Sequence, residues 1–223
     1  YRIHHLVQKK DGNDPDGETE ALRRILGLAK QRGDSDVFIH LAQGLRAYQR
    51  RDLARAEASF DAALKDAPAL AEARFDQGRI KGILAERKGD LKAAEAAYSR
   101  AVRAQPERLA GWRARARVRI KRRDSSGAVS DAEVLVRLKP SEAESQALLA
   151  WALAFEAEIP KASAAYEAVL LRDPSHPLGL AARGLVRRRE ANRAAAREDW
   201  KAALKANPDA ELGAWLEQQL EAL

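Results

Sequence analysis

The prolines of this chain recur at a fixed spacing, and that spacing limits the possible folds more than any other feature. Four prolines are each 34 residues apart, and a fifth precedes them by 38 residues: Pro106, Pro140, Pro174 and Pro208, with Pro68 upstream. Periods of about 20–50 residues are typical of repeat proteins, in which each period is one supersecondary unit. The spacing therefore predicts an array of repeated units.

Other positions recur in phase with the prolines. An alanine lies twelve residues before each one: Ala56, Ala94, Ala128, Ala162 and Ala196. The position eight residues before each proline is mostly aromatic: Phe60, Tyr98, Ala132, Tyr166 and Trp200. A small residue recurs near the start of each unit: Gly44, Gly78, Ala116, Ala150 and Gly184. Small residues let two helices approach closely, and a proline ends a helix because it has no backbone N–H.

The composition favours helices over strands. Ala, Leu, Arg, Glu and Lys dominate, and all are strong helix formers. Val, Ile and Thr are scarce, and no Asn-Gly hairpin turn is present. The sequence therefore predicts an all-α fold.

The phased pattern resembles the tetratricopeptide repeat, a helix–turn–helix unit of about 34 residues. The resemblance implies a right-handed superhelical solenoid of five repeats, at residues 37–70, 71–108, 109–142, 143–176 and 177–210. The second repeat is four residues longer than the others. Because four residues are close to one helical turn, we expect them to lengthen its first helix near Ile80–Glu86.

Three segments flank the predicted repeats. Residues 1–17 are turn-rich and indicate an arm or linker, and residues 18–33 predict a helix that is either a cap or half of an upstream repeat. Residues 211–223 predict an amphipathic helix with an apolar stripe of Leu212, Trp215, Leu216 and Leu220. Repeat arrays need such a cap over their last core face.

Several function classes find no support in the sequence. The chain has no Cys, which excludes thiol catalysis, Cys zinc sites and disulfides. No Gly-rich phosphate loop, HExxH or GxSxG motif occurs, and the four His residues are scattered. We therefore expect no enzymatic activity, no cofactor and no metal. No apolar run approaches the roughly 20 residues of a membrane span, and the compartment is open between cytoplasm and periplasm.

The resemblance also implies where a partner binds. In this family the first helix of each repeat lines an inner groove. The candidate groove residues are Phe38, Leu41, Leu45, Tyr48, Phe75, Arg79, Arg113, Arg117, Lys121 and Trp151. Such a groove suits a protein or peptide with acidic and apolar residues. For Phe38, Leu41, Leu45 and Tyr48 the alternative is packing against the helix at 18–32 or the N-terminal arm.

The first helix of the third repeat is unusually basic. Eight basic residues and no acidic one lie between Arg108 and Arg123, in a chain of net charge +7. At 100° per residue, Arg113, Arg117 and Lys121 form one stripe, facing the predicted groove, and Arg115, Arg119 and Arg122 form a second, almost opposite. We expect the second stripe to cover the core with its aliphatic stems and to reach Asp131 or Glu133. The first stripe has no acidic residue three or four positions away, which predicts uncompensated charge in the groove.

The leading hypothesis is a non-enzymatic protein–protein interaction scaffold that binds a peptide segment or a partner domain. One alternative is a basic surface for nucleic acid or anionic lipid. Against it, aromatic stacking residues are not interleaved with the arginines. A second alternative is the docking or regulatory array of a larger enzyme or complex.

Overall fold

The structure, a computed structural model, describes residues 36–223, and every regular element in this range is a helix. The helices are α1 (Asp36–Gln49), α2 (Leu53–Asp66), α3 (Ala71–Arg87), α4 (Leu91–Ala104), α5 (Leu109–Lys121), α6 (Ser125–Leu138), α7 (Ala143–Glu156), α8 (Ile159–Arg172), α9 (Pro177–Arg189), α10 (Arg193–Lys205) and α11 (Ala210–Glu221). The prediction of an all-α repeat fold is confirmed. The predicted arm at 1–17 and the predicted helix at 18–33 lie outside the described residues.

The chain divides into two compact units, Tyr1–Arg115 and Ala116–Leu223, and the division falls within α5. Consecutive helices pack in pairs within each unit: α1 with α2 and α3 with α4 in the first, and α7 with α8 and α9 with α10 in the second. The first helices of neighbouring pairs also touch, α1 against α3 and α7 against α9. Each unit is thus a stack of helical hairpins, and the five repeat boundaries remain our proposal for its division. None of the described helices combines the length and apolar character needed to cross a membrane.

Glycines in the first helices make room for the recurring aromatic rings. A Cβ atom added at Gly44 would lie 2.7 Å from the ring of Phe60, and Gly184 lies against the ring of Trp200 in the same way. Both rings are fully buried. A larger residue at either glycine would therefore push the two helices of the pair apart.

The four extra residues of the second repeat lengthen its first helix, as predicted. Helix α3 has 17 residues, whereas α1 and α7 have 14 each. The ring of Tyr98 consequently lies against Gly82, one turn beyond Gly78, and Gly78 faces the α4 backbone at Ala97 and Ala101 instead. The insertion therefore keeps a glycine opposite the aromatic ring and moves that contact along the helix by one turn.

The turn inside each helix pair repeats one local design. A residue with positive φ precedes the N-cap of the second helix, as at Gly89 and Ala191. The side chain of the N-cap then accepts a hydrogen bond from the backbone N–H three residues on, at 2.9 Å for Asp90 and 3.1 Å for Asn192. Helix α8 departs from this design because its N-cap is Glu158, which makes no such bond. A side-chain N-cap contributes about 1 kcal/mol.

Candidate functional site

The C-terminal unit contains a cleft of about 230 Å³. Its polar wall consists of Arg117, Glu144, His176, Asn207, Asp209 and Glu211. Its apolar wall consists of Trp151, Pro177, Leu178, Pro208 and Leu212. Helices α5, α7, α9 and α11 all contribute, so residues distant in sequence meet at one place.

Carboxylates from other helices pair with the basic stripe of α5. The Arg117 Nη2 atom lies 3.0 Å from Glu144 Oε1 on α7 and 3.3 Å from Asp209 Oδ2 at the start of α11. The Lys121 Nζ atom, one helical turn further, lies 3.0 Å from Glu211 Oε2. The prediction of uncompensated charge on this stripe was wrong for Arg117 and Lys121, because it considered only acidic residues on the same helix.

These ion pairs remain accessible to solvent. The side chains of Arg117 and Lys121 are 31% and 30% exposed, and those of Asp209 and Glu211 are 49% and 44% exposed. Pairs of this exposure contribute at most about 1 kcal/mol each, because water competes for both charges. The acidic residues therefore cover the basic stripe without fixing it permanently.

His176 lies at the N-terminus of α9 and on the edge of the cleft. Its Nδ1 atom accepts a hydrogen bond from the Gly179 backbone N–H at 3.4 Å. Its Nε2 atom lies 3.7 Å from Glu144 Oε2. Because Nδ1 is the acceptor, a neutral ring carries its proton on Nε2, on the side of Glu144. His176 thus joins a helix cap to the polar wall, a role that the sequence did not indicate.

An aromatic cluster lies behind the apolar wall. The ring of Trp215 on α11 lies 5.8 Å from that of Trp151, 5.8 Å from that of Phe155 and 5.7 Å from that of Trp200, centroid to centroid. Edge-to-face aromatic pairs at this distance each contribute about 0.5–1.5 kcal/mol beyond area burial. Helix α11 is thus attached to α7 and α10 through a single indole ring.

Trp151 is the one predicted groove residue with an unusual hydrogen-bonding state in this unit. The residue is only 6% exposed, so the expectation of an exposed aromatic anchor needs correction. It lines the cleft, and its buried indole N–H has no acceptor among the protein atoms. Buried indole N–H groups usually find a partner. The cleft therefore offers a hydrogen-bond donor beside its cations.

The predicted groove residues of α1 belong to the core of the N-terminal unit. Phe38, Leu41 and Leu45 are buried in one cluster with residues of α2 and α3. Tyr48 is half-buried and packs against the same cluster. The prediction of accessible groove side chains therefore needs correction at the three buried positions, because these side chains hold α1 in place. Their alternative partners at 1–17 and 18–32 lie outside the described residues.

Phe75 and Arg79 on α3 are buried as well. The Arg79 guanidinium lies 5.3 Å from the ring centre of Tyr48 and 5.8 Å from that of Phe75. Cation–π contacts at such distances, away from water, contribute about 2 kcal/mol. Burial again corrects the prediction that Phe75 and Arg79 line an accessible groove, because both serve a packed cation–aromatic cluster.

A buried carboxylate adjoins this cluster. Asp76 is only 3% exposed, and its Oδ1 atom lies 3.5 Å from Arg108 Nη1. Burial raises the pKa of Asp76 above its ordinary value, whereas the charges of Arg108 and Arg79 act in the opposite direction. The ionised form of Asp76 is therefore held at a net cost to the fold.

The second basic stripe is structural, as expected. Arg119 Nη1 lies 2.9 Å from Asp131 Oδ1 and also donates to the Gly127 carbonyl oxygen at 3.0 Å, which confirms the predicted contact with Asp131. Arg115 on the same stripe donates to Ser99 Oγ at 3.2 Å. Arg113 of the first stripe is half-buried.

Helix α9 repeats the arrangement with two arginines on one acid. Arg183 Nη2 lies 2.7 Å from Asp199 Oδ1, and Arg187 Nη1 lies 2.8 Å from Asp199 Oδ2. Asp131 and Asp199 are both buried. In both repeats a buried aspartate of the second helix therefore fixes arginines of the first.

Comparison with known proteins identifies the family. Residues 41–80 and 81–143 match the tetratricopeptide repeat family model. The chain is a tetratricopeptide repeat protein. No curated protein matches it.

Solved tetratricopeptide structures share its fold. YrrB, described as having an unusual peptide-binding site, is 21% identical, with a TM-score of 0.63 over 87% of this chain and 97% of YrrB. MamA from Desulfovibrio magneticus is 17% identical, with a TM-score of 0.63 over 78% of this chain and 96% of the other. TTC0263 from Thermus thermophilus is 19% identical, with a TM-score of 0.56 over 82% and 98%. At these identities the likeness extends to the fold alone.

The sequence missed Glu144, His176 and Asp209 as site residues of this tetratricopeptide protein. One usable signal was present: the tail helix begins with two acidic residues directly after Pro208. That acidic turn complements the basic stripe of α5, but only the fold shows that the two meet.

Proposed function

We propose that the protein is a non-enzymatic interaction module that binds a segment of a partner protein in the cleft of its C-terminal unit. One observation supports this most directly. Arg117 and Lys121 lie beside a buried indole N–H of Trp151 that has no acceptor, in a cleft that already accommodates carboxylates. Cations with convergent donors in a partly apolar cleft favour recognition of acidic side chains.

The size of the cleft favours a peptide side chain over a cofactor. Its volume of about 230 Å³ lies below the roughly 300–1,000 Å³ of small-molecule sites. One or two side chains of a peptide fit such a space, with an acidic group on Arg117 and an apolar group on Leu178 and Pro208. The peptide-binding site reported for YrrB, which has the same fold, is in keeping with this proposal.

The ion pairs on the basic stripe disfavour the nucleic-acid and lipid alternative. Phosphate binding gains its free energy from cations that release counterions. Arg117 and Lys121 are paired with three carboxylates, Glu144, Asp209 and Glu211, which repel phosphate. A peptide carboxylate, in contrast, replaces one of these groups with another of the same kind.

The test is affinity capture of partner proteins with the wild-type chain and the Arg117→Glu variant. We expect at least tenfold less of the captured partner with Arg117→Glu, because the reversed charge repels an acidic ligand. Arg137→Glu is the matched control, since Arg137 is exposed on α6 and makes the same change of charge elsewhere. Thermal unfolding of each variant establishes that the fold is retained. Equal capture by wild type and Arg117→Glu would exclude this cleft.

A further inference from the structure

Helix α11 lies across the first helices of the C-terminal unit and touches each of them. The contacts run along its length: Asp209 to Arg117, Glu211 to Lys121, Trp215 to Trp151, and Gln219 to Arg188. The last of these is a hydrogen bond of 2.6 Å from Arg188 Nη1 to Gln219 Oε1. The helix thus follows the same surface that contains the cleft.

The sequence of α11 has the chemistry that the cleft selects. Its first turn carries the carboxylates that meet the basic stripe, and Asp209 also caps the helix by accepting a hydrogen bond from the Leu212 N–H at 2.8 Å. Leu212, Trp215 and Leu216 follow at helical spacing and form one apolar face. An acidic first turn followed by an aromatic one turn later is therefore the pattern that this surface accommodates.

The attachment of α11 permits displacement. Only Leu212 and Leu216 of its residues are buried, and its two ion pairs are partly exposed. The helix joins α10 through the short segment Ala206–Asp209. Such a short tether gives the helix an effective concentration on the order of millimolar, so a free ligand must bind well or α11 must be weakened.

We propose that α11 is a built-in ligand of the cleft, and that the partner segment is a helix with the same acidic–aromatic pattern that takes its place. This inference rests on the proposed function and adds the chemistry of the partner. The partner helix pairs carboxylates with Arg117 and Lys121 and inserts an aromatic ring beside Trp151 and Phe155. Release of α11 uncovers this surface, so α11 reduces binding of weaker ligands.

The test uses a fluorescent peptide with the sequence of residues 207–223 and the full-length chain. The first variant is Asp209→Asn/Glu211→Gln, which removes both charges while Asn at position 209 retains an N-cap side chain. The second adds Trp215→Ala. Glu217→Gln is the control, because Glu217 is exposed on the same helix. Fluorescence anisotropy gives the affinity of the peptide for each protein.

We expect at least fivefold tighter peptide binding by Asp209→Asn/Glu211→Gln than by wild type, and a larger gain with Trp215→Ala. Glu217→Gln should behave as wild type, and adding Arg117→Glu to either variant should abolish the gain. Equal affinity of the charge variant and wild type would overturn the proposal. A wild-type dimer that dissociates in the charge variant would also overturn it, because the occupant would then be a second copy.

The two proposals fail in different ways. If Arg117→Glu abolishes capture of partner proteins but the peptide never responds to weakening of α11, the interaction function stands and the built-in ligand is refuted. If neither the peptide nor any captured protein depends on Arg117, both proposals fail.

Discussion

The Asp199 side chain is the most informative position for separating structural arginines from binding arginines. It is 4% exposed and accepts three charge-assisted hydrogen bonds, from Arg183 Nε at 3.1 Å, Arg183 Nη2 at 2.7 Å and Arg187 Nη1 at 2.8 Å. Bonds of this kind contribute about 1.5–3 kcal/mol each. Loss of a buried ion-pair partner costs about 3–5 kcal/mol in general, because a buried charge is left uncompensated.

The expected loss for Asp199→Ala is smaller than that. Arg183 and Arg187 are about one third exposed, at 30% and 34%, so both guanidinium groups regain water when the carboxylate is removed. We therefore expect the free energy of unfolding of the C-terminal unit to fall by about 2–3 kcal/mol. Asp199→Asn should fall between wild type and Asp199→Ala, because the amide oxygen accepts weaker hydrogen bonds.

The measurement is urea unfolding followed by tryptophan fluorescence. Three of the four tryptophans, at positions 151, 200 and 215, lie in the C-terminal unit, so the signal reports mainly on it. Glu198→Ala is the control, since Glu198 is exposed and its ion pair with Lys201 contributes less than about 1 kcal/mol. A loss below about 1 kcal/mol for Asp199→Ala would refute the structural role of these arginines.

Three further predictions concern stability and use the same unfolding assay. Glu158→Asp should stabilise the chain by about 1 kcal/mol because it supplies the missing N-cap of α8, and Asp90→Ala should cost about 1 kcal/mol; no gain from Glu158→Asp would contradict the repeated turn design. Gly44→Ala should destabilise by about 1–3 kcal/mol because its Cβ would lie 2.7 Å from the Phe60 ring. Gly213→Ala, with its nearest neighbour at 3.8 Å, should be neutral or stabilising, and similar effects of the two would contradict the close approach. The stability advantage of wild type over Asp76→Asn should be largest at acid pH and should fall as pH rises through the raised pKa of Asp76, since the folded state binds its proton more tightly than the unfolded state. A difference that does not change with pH would contradict the raised pKa.

The repeat fold was predictable because its signals are local and periodic. The 34-residue proline spacing, the small residues and the aromatic positions each occur in several repeats, so each one supports the others. The longer α3 followed from the same counting, since four residues make one turn. The shift of the Tyr98 contact to Gly82 did not follow, because it depends on which turn of α3 lies opposite the ring.

The candidate site was only partly predictable, for two physical reasons. The stripe of Arg117 and Lys121 followed from helix geometry, but its acidic partners come from other helices, and helical spacing says nothing about them. The burial of Phe75 and Trp151 depends on neighbouring helices for the same reason. The contact of Arg119 with Asp131 was predictable because both lie within one repeat, where the helix pairing is fixed by the family pattern.

The ion pairs of α11 should respond to salt, whereas the buried arginine–aspartate pairs should not. The Debye length falls from about 10 Å at 0.1 M to about 3 Å at 1 M salt, which is close to the 3.3 Å of the Arg117–Asp209 pair and the 3.0 Å of the Lys121–Glu211 pair. If each partly exposed pair contributes at most about 1 kcal/mol, screening both should open α11 roughly three- to tenfold more often.

Amide hydrogen exchange measures this opening residue by residue. Exchange within 210–221 should accelerate by that factor at 1 M salt, whereas exchange within α10, held through buried Asp199, should stay constant. Equal acceleration in both helices would show that salt loosens the whole unit, and no change in α11 would show that its attachment depends on Trp215 and the buried leucines. Only selective opening of α11 supports a surface that charge-matched helices can exchange, because the carboxylates on Arg117 and Lys121 are then the replaceable part of the contact.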